Sequence, residues 1–347
     1  MNTRIHTLLL VGVLGFTGCQ LPNTKQAPNT AVDGPARCGQ RGLRWTAPDG
    51  LRIAYRHWPA QGRVRGVIAA MPGWDSDACD WAPLARGLAA RGYEIYVTGR
   101  RSQWGDPRVY RGDDLKKATR GDLHDWQVWP KDYAAFTRWV AARHPGRPLI
   151  YAGQSMGSEE VLNVAGNPEW QGAPARGVFV ISPPLPFMYP NASAGFVTAF
   201  GPLFLDQDFR VADVDQMRAD HVQLMNSPTE WQRWSHSSDR VREGFTTRWL
   251  GEAAHMGSSA GNAAKNIHGP VFIYLGGKDQ LLAENASRTA SDAWKQCQRD
   301  LSHARVTTCV LPNGNHLPFP DSPEGTQVQA SVARWLDRVS AANQKSN

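Results

Sequence analysis

Short apolar segments with strand character alternate with amphipathic helical segments along this chain, and that alternation limits the possible folds more than any other feature. A chain that switches repeatedly between strands and helices forms a mostly parallel sheet with helices packed on its faces. The sequence therefore predicts an α/β fold. The first block of alternation has predicted strands at Gly66 to Met71, Tyr93 to Thr98, Pro148 to Ala152 and Arg176 to Ile181, and predicted helices at Trp81 to Arg91, Lys131 to Arg143 and Met156 to Ala165.

A hairpin is predicted ahead of this block, where Leu43 to Thr46 and Leu51 to Trp58 flank the turn sequence Pro48-Asp49-Gly50. After Ser182 the alternation stops, and the next stretch has Pro-rich turns and helical segments rich in Trp and Met. We therefore predict a core of residues 43–182 and 268–342, with residues 183–267 inserted as a mainly helical cap. The second block has a strand at Pro270 to Leu275, a helix at Ala286 to Gln298, a strand at Ala304 to Leu311 and a helix at Gly325 to Ala341.

The first 42 residues have the features of a targeting segment followed by a tether. In residues 1–18, Arg4 precedes an apolar run that is too short to span a bilayer, which is typical of a secretory signal. Residues 19–42 are rich in Pro, Asn, Thr and Gly, which favours a flexible connection to the folded core.

The end of the apolar run resembles a bacterial lipobox, because the small residues Thr17 and Gly18 precede Cys19. This resemblance implies that Cys19 is lipidated as the mature N-terminus. With Gln20 next in the chain, it also implies a lipid-anchored protein of the bacterial cell envelope, at the outer membrane and facing the periplasm. Phe16 stands where the lipobox favours Leu, so cleavage by an ordinary signal peptidase is the alternative.

Four cysteines remain if Cys19 carries lipid, and an even number in an oxidising compartment favours disulfides. Cys297 lies near the end of a predicted helix and Cys309 lies in the following strand, so these two could meet. A bond between Cys38 and Cys79 would fix the N-terminal arm to the core. Three pairings are possible. The chain has no Cys-x-x-Cys pair, and we expect neither a metal site nor a cofactor.

The net charge of +7 does not indicate a nucleic-acid partner, because the basic residues are scattered and form no block or recognised motif. The apolar fraction of 41% is that of a chain with a packed core.

Two segments match the pattern Gly-x-Ser-x-Gly, with Ser155 and Ser259 at their centres. Ser155 follows an apolar strand and opens a helical stretch, which is the strand–turn–helix setting that exposes a nucleophilic serine. Ser259 has no strand before it, and we interpret its segment as a loop of the cap. The sequence therefore predicts Ser155 as the nucleophile.

A nucleophilic serine needs a base, and the base needs an acid that orients it. Asp279 comes just after the predicted strand at Pro270 to Leu275, and His316 comes after the strand at Ala304 to Leu311. Because the carboxyl ends of parallel strands share one edge of a sheet, we expect Ser155, Asp279 and His316 to converge there. The competing histidines precede the nucleophile or lie before a strand; they are His57, His124, His268 and His303.

An oxyanion hole requires two backbone N–H groups directed at the developing negative charge. One candidate is the N–H of Met156, directly after Ser155. The other is the N–H of Trp74, in the loop Met71-Pro72-Gly73-Trp74-Asp75 that follows a predicted strand.

These segments resemble the lysophospholipase and monoacylglycerol-lipase branch of the α/β-hydrolases, also called the serine aminopeptidase-like group. The resemblance covers about Leu43 to Ala341 and lies in the sequences PGW, GQSMGS, GGKDQLL and GNHLPF. It implies an ester hydrolase acting through an acyl-enzyme on a small-molecule or lipid ester, such as a lysophospholipid or a monoacylglycerol. A short-chain carboxylesterase, a peptidase or amidase on the same fold, and a non-catalytic binding lipoprotein are the alternatives. The chain departs from the family at Pro72 in the oxyanion loop, at Arg100 to Gly105 and at Glu159-Glu160.

Overall fold

The computed structural model describes residues 43–104, 121–184, 210–211, 244–279, 295, 299, 301–316 and 323–341. The strands in these ranges are β1 (Leu43–Thr46), β2 (Arg52–Trp58), β3 (Gly66–Met71), β4 (Tyr93–Thr98), β5 (Leu149–Gln154), β6 (Gly177–Ile181), β7 (Arg210–Val211), β8 (Phe245–Thr246), β9 (Pro270–Gly276) and β10 (Arg305–Leu311). The α-helices are α1 (Ala82–Ala89), α2 (Val128–Arg143), α3 (Met156–Gly166), α4 (Thr247–Ala264) and α5 (Pro323–Ala341). Single 3₁₀ turns occur at Ala78–Trp81 and Pro168–Trp170.

Eight strands form one sheet in the order β1-β2-β4-β3-β5-β6-β9-β10. The hairpin strands β1 and β2 are antiparallel, β2 is antiparallel to β4, and every pair from β4 to β10 is parallel. The chain winds outward in one direction from β3 to β4 and in the other direction from β5 to β10. The strand order therefore reverses between β3 and β5, which is where open α/β sheets bind their ligands.

The side chains of the sheet alternate between two apolar cores, one on each face, because successive residues of a strand point to opposite sides. On one face Val67, Tyr151 and Ile273 pack with residues of α2, α3 and α4. On the other face Ile68, Ile150 and Phe272 pack with residues of α1 and α5. The predicted α/β class is confirmed, and both faces of the parallel strands are covered by helices.

The predicted elements differ from the observed ones mainly at their ends. The strand predicted at Pro148 to Ala152 continues to Gln154, directly before Ser155. The helix predicted to begin at Lys131 begins at Val128, and the helix predicted to begin at Trp81 begins at Ala82 after a 3₁₀ turn. The helix predicted at Ala286 to Gln298 lies outside the described residues except for Lys295.

The segment predicted as the cap, residues 183–267, is described only at 183–184, 210–211 and 244–267. In these parts β7 and β8 pair as a short antiparallel ribbon, and α4 follows β8 directly. Ala260 and Ala264 of α4 belong to the same apolar core as the strands. The helix α4 therefore packs against α3 and contributes to the apolar core on that face of the sheet.

The cysteine predictions have different outcomes. Cys309 is a free thiol, so the predicted pairing with Cys297 is wrong. In β10 its side chain packs toward α5, where Ser331 hydrogen-bonds the thiol and burial raises its pKa. Cys79 is disulfide-bonded, but its partner lies outside the described residues, so the pairing with Cys38 stays a prediction.

The predicted signal, the tether and Cys19 also lie outside the described residues. Within the ranges that the structure does describe, none of the helices carries an apolar stretch long enough for a bilayer.

Candidate active site

Ser155 occupies a sharp turn between β5 and α3, as the sequence predicts. Its backbone has φ 49° and ψ −129°, a conformation that strains a residue with a side chain by about 1–3 kcal/mol. Its N–H donates to Ile181 O at 2.7 Å, which ties the turn to the end of the neighbouring strand β6. At Gly157 a Cβ would lie 2.4 Å from Pro72 O and 2.5 Å from Met71 O. Only glycine there lets α3 begin directly beside the loop that follows β3.

The loops that carry Asp279 and His316 lie against each other because β9 and β10 are parallel neighbours. Gly277 N–H donates to Leu311 O, and Lys278 N–H donates to Gly314 O, each at 2.8 Å. Gly276 permits this approach, since a Cβ there would lie 2.5 Å from Asn315 O. Backbone contacts therefore fix the separation of the two loops.

Asp279 and His316 are in direct contact at this edge. The Nδ1–H of His316 donates to Asp279 Oδ2 at 2.7 Å, and both residues are 3% exposed. A carboxylate on Nδ1 fixes the imidazole tautomer and leaves Nε2 as the acceptor. Within the described part of the chain, Nε2 is buried and has no hydrogen-bond partner. The contact therefore fixes the imidazole ring through Nδ1 and leaves Nε2 without a partner among the described residues.

Ser155 and His316 are linked through the end of β6. Ile181 O accepts the N–H of Ser155, and the next residue, Ser182, donates from its Oγ to His316 O at 2.8 Å. Ser182 N–H also donates to Tyr274 O in β9 at 3.0 Å. Two consecutive residues thus hold the backbones of the predicted nucleophile and base at one edge of the sheet.

The loop after β3 lies directly against Ser155. A Cβ on Gly73 would lie 3.1 Å from Ser155 Cβ, so Gly73 lies close to Ser155. Trp74 is the next residue of the loop. Met156 is the first residue of α3, where the backbone N–H has no acceptor within the helix. The residues of the two predicted oxyanion donors are therefore the chain neighbours of Ser155 itself and of Gly73, which lies beside it.

An apolar cluster lies beside these donors. Trp74 stacks on Trp249 with ring centroids 5.5 Å apart and meets Phe245 edge-on at 5.0 Å. This cluster, called the aromatic cluster below, consists of Leu123, Trp129, Met156, Phe245, Trp249 and Met256, and Trp74 packs against it. The side of the loop that carries Trp74 is therefore apolar, which strengthens electrostatic interactions there.

The competing residues have other positions. Ser259 lies inside α4, where its Oγ donates to Asn163 Oδ1 at 2.7 Å, so the segment predicted as a cap loop is helical. His57 donates to Glu94, and His124 lies beside Asp122. His268 and His303 precede β9 and β10, with their rings 5.6 Å apart, at the opposite edge of the sheet from Ser155.

Sequence reasoning missed a buried ion pair beneath the oxyanion loop. Arg100 and Glu160 appear in the sequence only as departures from a family pattern, but the structure brings them together under Pro72 and Gly73. Burial raises the pKa of Glu160 to about 7, while Arg100 opposes the rise. Burial and the neighbouring Glu160 raise the pKa of Glu159 well above its ordinary value. Among the described residues, no group of three or more His, Cys, Asp or Glu could hold a metal ion.

Comparison with protein families places this chain in a known group. The family model described as serine aminopeptidase, S33, matches residues 62–323, which include Ser155, Asp279 and His316. The chain belongs to the serine aminopeptidase S33 family. It is therefore a hydrolase with the α/β-hydrolase fold, and the predicted resemblance is confirmed. A search of curated proteins gives no match.

Solved structures agree with the S33 assignment at the level of fold. A lipase in its open form has a TM-score of 0.66 and 16% identity, covering 87% of this chain and 99% of its own. A thermostable carboxyl esterase from Bacillus coagulans has a TM-score of 0.66 and 14% identity, covering 87% and 98%. A soluble variant of monoglyceride lipase from Saccharomyces cerevisiae, in complex with a substrate analog, has a TM-score of 0.66 and 18% identity, covering 88% and 99%.

Proposed function

We propose that this S33-family protein is a serine hydrolase of carboxylic esters, with Ser155 as the nucleophile, His316 as the general base and Asp279 as the orienting acid. The observation that carries the proposal is the buried 2.7 Å hydrogen bond from His316 Nδ1 to Asp279 Oδ2. A neutral imidazole that donates from Nδ1 has its lone pair on Nε2, the atom that accepts the proton of a nucleophilic serine.

The reaction proceeds through an acyl-enzyme. His316 Nε2 takes the hydroxyl proton as Ser155 Oγ attacks the ester carbonyl, and the N–H groups of Trp74 and Met156 bind the oxyanion. The imidazolium then gives its proton to the departing alcohol. Water, deprotonated by the same imidazole, attacks the acyl-enzyme and releases the carboxylic acid with a free Ser155.

The substrate that we propose is a single-chain acyl lipid, either a lysophospholipid or a monoacylglycerol. The aromatic cluster beside the oxyanion loop favours a substrate with an apolar acyl group. The monoglyceride lipase among the solved structures with this fold is compatible with the same class. A lipid-anchored enzyme would also meet such substrates at the membrane surface.

Replacement of Ser155 by Ala tests the reaction. We expect the kcat for p-nitrophenyl butyrate to fall by roughly 10⁴- to 10⁶-fold, because the nucleophile is lost while the oxyanion donors remain. Circular dichroism and the melting temperature of the variant should match those of the wild type. A folded Ser155→Ala protein with wild-type turnover would contradict the proposal.

A series of p-nitrophenyl esters from two to sixteen acyl carbons, together with a monoacylglycerol and a lysophospholipid, tests the substrate class. The lipid proposal requires a rise of kcat/KM toward long chains and turnover of at least one lipid. A sharp optimum at two to four carbons would instead make the protein a short-chain carboxylesterase. Turnover of an aminoacyl p-nitroanilide that exceeds all ester turnover would favour the peptidase activity for which the S33 family is named.

We also propose that Cys19 carries the lipid that anchors the protein in the bacterial cell envelope, on the periplasmic side of the outer membrane. The support is the small residues before Cys19 and the apolar run that precedes them. Metabolic labelling with palmitate should mark the wild type but not Cys19→Ala, and membrane fractionation should give the outer-membrane location. A mature N-terminus at another residue would show cleavage by an ordinary signal peptidase.

A further inference from the structure

The guanidinium of Arg100 is buried directly beneath the loop that follows β3. Its Nη2 donates to Pro72 O and its Nη1 to Gly73 O, each at 3.0 Å. Nη1 also donates to Gln103 Oε1 at 3.1 Å, and the cation lies over the ring of Trp129 with Cζ 5.2 Å from the centroid. One side chain therefore holds two consecutive carbonyls of the oxyanion loop.

These two contacts determine which way the loop's N–H groups point. The described residues contain no cis peptide bond, and in a trans peptide the C=O and N–H point in opposite directions. The carbonyl of Gly73 shares its peptide plane with the N–H of Trp74. Because Arg100 draws that carbonyl to one side of the loop, the N–H of Trp74 is turned to the other side, away from Arg100.

Glu160 holds Arg100 in place from the helix that begins at Met156. The Nε of Arg100 donates to Glu160 Oε1 at 2.5 Å, and the side chains are 1% and 0% exposed. The ion pair thus joins the loop that carries Trp74 to the helix that carries Met156. A charge pair so deeply buried is costly to desolvate and is a weak device for stability alone.

We propose that Arg100, held by Glu160, is a positioning residue that sets the alignment of the two oxyanion donors of Trp74 and Met156. This inference rests on the proposed function, because it assigns a role within the same site. Arg100 acts through the backbone and does not touch the substrate. Its effect should therefore fall on kcat, through the transition state, and much less on KM.

Arg101 provides a matched control in the next position of the chain. It is equally buried, and it donates to Asp132 through Nε at 2.6 Å and Nη2 at 2.7 Å, as well as to Asp49 at 2.9 Å. None of these acceptors belongs to the oxyanion loop. Replacement of either arginine by Lys keeps the positive charge but removes the planar guanidinium group. The two variants therefore differ in which hydrogen bonds they lose.

The experiment compares Arg100→Lys with Arg101→Lys in the full-length protein. We expect Arg100→Lys to lower kcat for p-nitrophenyl butyrate roughly 10- to 100-fold with KM changed less than threefold, since loss of an oxyanion donor altogether costs about 10²- to 10³-fold. Affinity for an alkylboronic acid, whose tetrahedral adduct on Ser155 needs the same donors, should fall in proportion to kcat. Arg101→Lys should keep both values within threefold of wild type, whatever its melting temperature.

Two results would overturn the inference: an Arg100→Lys protein with wild-type kcat, or an equal loss of kcat in Arg101→Lys. If Arg100→Lys does not fold, Glu160→Gln takes its place at pH 8, with an expected several-fold loss of kcat at unchanged KM; an unchanged kcat would contradict the inference. Ser155→Ala separates the two proposals. If that variant is inactive and Arg100→Lys is not impaired, only the positioning role fails.

Discussion

Two segments of this chain share the pattern Gly-x-Ser-x-Gly, yet they have opposite structural settings. Ser155 stands in a strained turn at φ 49°, between a buried strand and the first turn of α3. Ser259 lies within α4, where its hydroxyl binds Asn163 Oδ1 at 2.7 Å and joins two packed helices. The five-residue pattern therefore does not determine the setting of its serine, which depends on the strand before it and the helix after it.

The first glycine of each segment shows the same difference. A Cβ on Gly153 would lie 2.6 Å from Gly157 O and 2.6 Å from Ser158 Cα, which are backbone atoms of the turn. A Cβ on Gly257 would lie 2.7 Å from Oε1 of Glu159, the far end of a side chain that can move. One glycine is required by the backbone, and the other is only adjacent to a side chain.

Among the further tests of this comparison, Asp279→Asn should have the largest effect on kcat, because the proposed role of Ser155 requires a base that Asp279 orients, and no role in catalysis is proposed for Ser259. We expect kcat to fall roughly 10³- to 10⁴-fold with the fold intact, since an amide in place of the carboxylate favours the wrong imidazole tautomer. Steady-state kinetics on p-nitrophenyl butyrate measures it, with Asp337→Asn on α5 as the control. A kcat within tenfold of wild type would show that Asp279 does not orient the base.

The two first glycines offer a test of stability. Gly153→Ala should lower the free energy of unfolding by at least about 1–3 kcal/mol, the usual cost of overpacking. Gly257→Ala should change it by less than about 1 kcal/mol, because the higher helix propensity of Ala offsets a small shift of Glu159. Urea denaturation of both variants makes the measurement. Equal destabilisation would mean that the backbone at Gly153 is no more constrained than that at Gly257.

A smaller effect should appear in the pH dependence of stability. Glu159 lies in the helix that follows Ser155, and its carboxyl group lies beside Gly257 of the second segment. Burial raises the pKa of this carboxyl, Glu160 adds to the rise and Arg100 opposes it. A raised pKa favours the protonated form in the folded state, so the contribution to stability is full below the unfolded pKa of about 4.5 and is lost as the pH rises through the raised value.

Melting temperatures of the wild type and Glu159→Gln between pH 5 and pH 8 check this sign. The glutamine variant does not titrate, so it should gain stability relative to the wild type as the pH rises. The exposed Glu169→Gln serves as the control, with a curve parallel to that of the wild type. Parallel curves for Glu159→Gln as well would indicate that Glu159 titrates normally in the fold.

The smallest effect is expected for Ser259→Ala. Loss of its hydrogen bond to Asn163 should lower the free energy of unfolding by about 1 kcal/mol and leave kcat within twofold of wild type. Thermal unfolding and ester hydrolysis measured on one preparation are sufficient. A large loss of kcat would assign Ser259 a part in the reaction that its place in α4 does not explain.

The contact between Asp279 and His316 follows from features that a sequence can show. Each residue lies in the loop that follows a strand, and adjacent parallel strands bring such loops to one edge of a sheet. Ser155 was predictable for the same reason, since the strand before it and the helix after it are both visible in the apolar pattern. The position of each of these residues at a strand end is therefore visible in the local sequence.

Other features depend on packing between distant segments. Arg100 and Glu160 are 60 positions apart, and only the folded loop brings the guanidinium under Pro72. The helix α4 has Gly and Ser residues that resemble a loop, but it packs closely against α3. A Cβ on Gly166 of α3 would lie 1.9 Å from Ala263 O of α4. Nearness in sequence also suggested the pairing of Cys297 with Cys309, whereas the direction of the side chain in β10 turns Cys309 toward α5.

The central claim is that Ser155, and not Ser259, is the nucleophile, and labelling with a fluorophosphonate probe tests it most directly. The folded protein is treated with the probe, digested and mapped by mass spectrometry, with Ser155→Ala and Ser259→Ala treated in parallel. We predict a single adduct on Ser155 that is absent from Ser155→Ala and unchanged in Ser259→Ala. An adduct on another residue, or a folded wild type that takes up no probe, would contradict the account.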